Sequence, residues 1–169
     1  SAARPDWRLV RGGSLRAVGV LSNHRARIPW QGGTPQLGNH SMQLHKLHGL
    51  GNDYLVVSDD AGHRVGSDLA RALCDRHTGP GADGVLVPLR SEVADWGVRI
   101  LNPDGSDAEK SGNGLRILAR FLVDHRGAPR DLSIETPAGV VQARVRDDTV
   151  EVDMGQATLV PAEIPATAS

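Results

Sequence analysis

The sequence predicts an α+β fold in which a curved mixed sheet wraps a central helix. Three observations carry this. Leu115, Leu118, Ala119 and Leu122 recur at i, i+3, i+4 and i+7, the spacing of one buried helical face. Several short aliphatic runs, bounded by Gly, Pro, Asn and Asp, surround that helix in the sequence and read as strands. Near the end, Val141, Ala143 and Val145 alternate with Gln142, Arg144 and Arg146, and Val150, Val152 and Met154 alternate with Glu151 and Asp153. Asp147-Asp148 between them makes a hairpin with one buried face.

Taken in order, residues 1–41 stand apart. They hold six arginines against Asp6 alone, a net +5, whereas residues 42–169 hold 13 basic and 19 acidic residues, a net −6. No helical or strand period is sustained before Met42. The expectation is a leader at 1–41 that is foreign to the fold or disordered, followed by one lobe over 42–169. An Arg-rich transit segment is a second reading of the leader. A basic nucleic-acid or membrane arm is a third, disfavoured because the arginines are scattered rather than clustered.

Gln43–Leu47 and Tyr54–Ser58 read as strands around the turn-rich Gly49-Leu50-Gly51-Asn52-Asp53. Ser67 is a candidate N-cap for a helix running to about His77, stopped by Gly79-Pro80-Gly81. Gly84–Leu89 and Trp96–Leu101 are further strands, with Pro88 marking an edge or a strand end. The helix after Gly114 ends at Gly127 and Pro129, and Leu132–Glu135 is a short strand. Residues 156–169 thin out into Ala, Pro and Thr.

With 169 residues, 39% of them apolar and only 3% aromatic, the chain must fill its core with aliphatic side chains. The formal net charge of −1 gives no global case for nucleic-acid binding. The single cysteine, Cys74, precludes an internal disulfide and fits a reducing compartment, so the expected location is the cytoplasm. No apolar run has the length needed to cross a bilayer, so no membrane association is expected.

Three glycine-rich loops could carry chemistry. In the first, a strand ends at Leu101, the turn Asn102-Pro103-Asp104-Gly105-Ser106 follows, and Ser111-Gly112-Asn113-Gly114 opens the best helix. Gly112 and Gly114 would let backbone approach a ligand, and the N–H groups of a first helical turn suit a carboxylate. Ser111 would stand at the mouth of that site. The competing reading is ordinary helix capping by Ser, Asn and Gly. In His48-Gly49-Leu50-Gly51-Asn52-Asp53, Asn52 could set its amide against an amino-acid substrate, or simply supply a positive φ to the turn. The third loop is His77-Thr78-Gly79-Pro80-Gly81-Ala82-Asp83-Gly84, where His77 reads either as a base or as a helix-end cation. Cys74 reads as a core thiol.

The order and spacing of these segments resemble the diaminopimelate epimerase family. The resemblance runs from the opening strand and its HGLGND turn through the RHTGPGADG loop and the NPDGS turn. It continues into the GNGLR helix and ends with VDMG at Val152–Gly155. It implies a fold of two similar lobes with the active site between them, of which this chain holds the first and lacks the second. It also implies interconversion of LL- and meso-diaminopimelate, in lysine and peptidoglycan-precursor synthesis, without pyridoxal phosphate or metal. By position, Asn52 and Asn102 match substrate-binding residues, and Gly112 and Asn113 match the backbone cradle beside the first catalytic thiol. That thiol's position is Ser111 here, and a hydroxyl is a poor base unless a neighbour activates it; Lys110 is the only basic residue fixed beside it in sequence. The expected partner is a small amino-acid substrate, and the protein could pair as a homodimer. Two alternatives stand beside epimerisation: an isomerase or dehydratase of another small carboxylate, and a catalytically dead carboxylate-binding domain.

Overall fold

The computed structural model describes residues 24–27, 43–57 and 65–155, so expectations for the rest of 1–41, for Ser58 and for residues 156–169 fall outside the described residues. Among those described are nine strands: β1 (His24–Arg27), β2 (Gln43–Gly49), β3 (Asn52–Val57), β4 (Val85–Leu89), β5 (Trp96–Leu101), β6 (Asp107–Ala108), β7 (Asp131–Thr136), β8 (Gly139–Val145) and β9 (Val150–Val152). Two helices join them, α1 (Ser67–Cys74) and α2 (Gly112–Arg126). No helix among the described residues is long and apolar enough to cross a membrane.

The strands form one sheet in the order β1-β2-β3-β4-β5-β7-β8-β9, with β6 pairing β5 off that path. β3–β4 and β5–β7 are parallel and the other pairs antiparallel, so the sheet is mixed, as the sequence predicts. β1 was not legible in advance. His24-Arg25-Ala26-Arg27 has no apolar alternation, yet it pairs antiparallel with Gln43–Lys46.

α2 is the centrepiece. Leu115, Leu118, Ala119 and Leu122 are fully buried, joined by Ile117 and Phe121, a wider face than a helix resting on a flat sheet would bury. The cause is contact on several sides: β2, β3, β4, β8 and β9 all pack against it. One core lies between α2 and the concave face of the sheet, built from Leu47, Tyr54, Val56, Leu86, Ile134, Val141, Ala143 and Val145 among others. A second core on the other face holds Leu55, Val57, Val85 and Leu101 against Ala70, Leu73 and Cys74 of α1. β3 serves both: strand alternation sends Tyr54 and Val56 toward α2, and Leu55 and Val57 toward α1.

Two local expectations need correction, and a third holds. The N-cap of α1 is Gly66, and Ser67 is its first helical residue without capping it. The helix stops at Cys74 instead of His77, because Asp75 turns extended and its Oδ1 accepts the N–H groups of His77 (2.7 Å) and Thr78 (3.1 Å). A local Asp-to-backbone turn thus replaces the helical bonds. Pro88 does mark a strand end: it is the last residue but one of β4, and β3 pairs only with Val85 and Leu86. The missing Pro88 N–H therefore leaves no gap on that side of the ladder.

Candidate active site

Ser111 is the N-cap of α2. Its backbone is extended (φ −142°, ψ 114°), and its Oγ accepts the Gly114 N–H at 3.1 Å. Capping, the competing reading of this segment, is therefore present. It does not exhaust Ser111, because the Tyr54 hydroxyl lies 3.0 Å from the same Oγ. Tyr54 reaches it from β3 as a core residue, 7% exposed.

Two glycines make that meeting possible by close approach. A Cβ on Gly84 would stand 2.6 Å from Tyr54 Cε1 and 2.8 Å from the Leu101 carbonyl oxygen, so any side chain there would push the ring away. A Cβ on Gly114 would meet Ser111 Oγ at 3.1 Å and Leu86 Cδ2 at 3.2 Å, tight on both sides. Gly112 is different: a Cβ there would make only ordinary contact with Arg116 and Met154, so packing within the protein does not demand glycine at this position.

The helix start is electropositive. Gly114 N–H is capped, and among the described residues no acceptor meets the N–H groups of Gly112 and Asn113, the remaining donors of the first turn. Arg116 lies alongside, its Nη1 donating to Asn113 Oδ1 at 3.2 Å. Its Nε is buried without a partner among the described residues. Lys110, the basic neighbour in sequence, is directed elsewhere: its Nζ donates to the Met154 carbonyl at 3.0 Å. The group that touches Ser111 is a phenol, which sequence adjacency does not reveal.

Asn52 and Tyr54 share one face of β3, two residues apart, so Asn52 stands about 7 Å further along the strand on the side facing α2. The positive φ values of the turn belong to Leu50 (56°) and Gly51 (85°), so Asn52 is not there to supply one. Its Nδ2 donates to Asp83 Oδ2 (3.1 Å), which also accepts the Asp53 N–H (3.0 Å). Asp83 Oδ1 accepts from Arg76 Nη2 at 2.7 Å, and Arg76 in turn holds Asp53 at 2.6 and 3.1 Å. Lys46 adds a contact to Asp53 at 3.2 Å. Burial pushes the Asp53 carboxyl up, but the hydrogen bonds and charge of Arg76, with Lys46, outweigh it and bring the carboxyl down to about 2.

Asn102 closes its own turn. Its N–H reaches the Ser106 carbonyl (2.8 Å), its carbonyl accepts the Gly105 N–H (2.9 Å), and its Nδ2 donates to Ser106 Oγ (3.0 Å). Among the described residues no hydrogen bond joins Asn102 to Ser111, Tyr54 or Asn52. His77 is exposed beyond α1, with its backbone N–H on Asp75. Cys74 is 4% exposed against the sheet, and burial followed by the Asp53 and Asp83 charges pushes its thiol up to about 11.

A family model described as diaminopimelate epimerase matches residues 44–160. The chain is similar to a diaminopimelate epimerase of Carboxydothermus hydrogenoformans, 45% identical over 130 residues, covering 73% of this chain and 47% of that protein. It is also similar to diaminopimelate epimerase 2 of a Nostoc species, at 43% identity over 73% of this chain and 45% of that one. Among solved structures, a hydroxyproline epimerase from Agrobacterium vitis gives a TM-score of 0.46 at 22% identity, covering 66% of this chain and 40% of that one. The chain spans about half the length of the curated relatives it matches.

Proposed function

The chain belongs to the diaminopimelate epimerase family, and from that membership we propose that it supplies one lobe of a cofactor-independent epimerase interconverting LL- and meso-diaminopimelate. The observation that carries the reading is the position of Ser111 Oγ at the entrance of α2, beside the N–H groups of Gly112 and Asn113. An α-carboxylate seated on those N–H groups would place the α-carbon next to Ser111. As the α-proton leaves, negative charge moves onto the carboxylate, where the N–H groups, the helix dipole and Arg116 stabilise it more strongly than in the ground state. Asn52, its Nδ2 engaged by Asp83, keeps Oδ1 as the acceptor end, which suits a substrate ammonium. Asn102 contributes by fixing the turn that leads from β5 to β6. The opposing acid–base group belongs to a second lobe, the substrate is a small amino acid, and the reaction is that of a cytoplasmic biosynthetic enzyme.

The test joins the whole chain to the second half of the Carboxydothermus relative and follows deuterium uptake at the α-carbon of LL- and meso-diaminopimelate in heavy water. Exchange that is lost on Ser111→Ala supports the proposal; no exchange by a folded, two-lobed protein overturns it. A second reading rests on Ser111 itself, since a hydroxyl at a thiol position favours one-sided proton removal, as in a dehydratase or isomerase of a related carboxylate. The same protein offered hydroxy acids would reveal it by loss of water or a shifted double bond.

A further inference from the structure

Ser111 Oγ has one proton to donate and two lone pairs. The Gly114 N–H occupies one lone pair at 3.1 Å, and the Tyr54 hydroxyl is 3.0 Å away. With Tyr54 as donor both lone pairs are filled, and the Ser111 O–H is the one bond left to point out of the protein. We propose that Tyr54 is the positioning residue of Ser111 and its proton relay, so that the pair works as a phenol presented through a hydroxyl. This rests on Ser111 being the proton-transferring group proposed above.

The step balances without any further reactant. In the protonating direction, Ser111 gives its hydroxyl proton to the α-carbanion, a C–H bond forms, and Tyr54 passes its own proton to Ser111 Oγ. The serine ends neutral and the tyrosine ends as phenolate. The reverse direction starts from that phenolate: Ser111 takes the α-proton while its hydroxyl proton returns to Tyr54. An isolated serine would have to become an alkoxide. Phenols ionise near pH 10 and thiols near 8.5, so routing the charge to a phenol brings a hydroxyl site within reach of thiol chemistry. The surroundings are built for the contact. Tyr54 is anchored in the α2 core, and glycine at 84 is what admits its ring.

Tyr54 is the only tyrosine in the sequence, so its hydroxyl can be read by itself. In the chain as it stands, tyrosine labelled with 13C at Cζ gives one resonance, whose position at neutral pH reports the hydrogen bonding of this hydroxyl. Ser111→Ala should shift that resonance, by removing the partner 3.0 Å away, and Ser111→Thr should restore it. A resonance unmoved by Ser111→Ala overturns the coupling. In the two-lobed protein, Tyr54→Phe should slow α-proton exchange about tenfold with Ser111 present, and less than about twofold in a Ser111→Cys background, where a thiol needs no relay. Equal losses in both backgrounds would make Tyr54 merely structural and overturn the relay. Should the two-lobed protein be inert, the epimerase reading falls, and the shift of the labelled resonance alone decides whether the two hydroxyls form a unit.

Discussion

Asn52 and Asp83, thirty-one residues apart, are joined by one hydrogen bond of 3.1 Å, through the same carboxylate oxygen that accepts the backbone N–H of Asp53. The β2–β3 turn and the loop before β4 are therefore tied together at the point where Asn52 faces α2. Asp83→Asn keeps the shape and removes the charge that fixes the Asn52 amide. We expect a stability loss of about 1 kcal/mol in urea unfolding. In the two-lobed protein it should raise KM for diaminopimelate more than it lowers kcat. An unchanged KM would detach Asn52 from substrate binding.

Asp53 makes a pH prediction. Its carboxyl is held at about 2, below the ordinary value of 3.8, so the unfolded chain binds its proton first as pH falls. The stabilisation it gives is whole above about pH 4 and is lost progressively as pH drops toward 2. Asp53→Asn should lower stability at pH 5 by about 1–3 kcal/mol and flatten the decline between pH 4 and 2. Denaturant midpoints measured across that range would show it; parallel acid limbs in both proteins would argue against it.

Ser111 caps α2, and that structural role is separable from the proton transfer proposed for it. Ser111→Ala removes the cap on Gly114 and should cost about 1 kcal/mol of stability. Ser111→Cys should raise exchange on the face this lobe serves by about tenfold, because a thiolate forms more readily than a phenolate and the helix N-terminus favours it further. Stereoisomer-resolved deuterium uptake measures this. A slower cysteine form would mean that the site is built around oxygen and would favour the dehydratase reading.

Leu50 sits at φ 56° and is 43% exposed, a branched residue in a left-handed turn position. Leu50→Asn, giving the Asn-Gly pair that such two-residue hairpins prefer, should stabilise the chain by about 0.5–1 kcal/mol. If thermal unfolding shows a loss instead, the Leu50 side chain is contributing a contact worth more than the strain it imposes.

The parts of this fold that rest on local pattern were legible in the sequence. α2 announced itself by its spacing, and the β8–β9 hairpin by its alternation, because each buries one face against whatever lies opposite. Ser111, Gly112 and Asn113 could be singled out because a helix start has a chemistry of its own. Tyr54 could not, since its role comes from β3 passing beneath the entrance of a helix whose cap, Ser111, lies 57 residues later, at a distance set by Gly84 and Gly114. Its position two residues beyond Asn52, on the same strand face, was the one available hint. β1 and the two-residue β6 exist through pairing with β2 and β5 and carry no period of their own. α1 ended early because one aspartate offered the backbone a better turn.

Cys74 gives the molecule a clock. It is the sequence's single thiol, it lies between α1 and the sheet, and with its proton held until about pH 11 it is silent while that contact stays closed. A thiol reagent at neutral pH can therefore report only molecules in which α1 has lifted away. Its labelling rate, compared with that of an unfolded chain, gives the free energy of that one opening. Set against global unfolding in denaturant, it tells whether the outer helix leaves alone or only with the sheet.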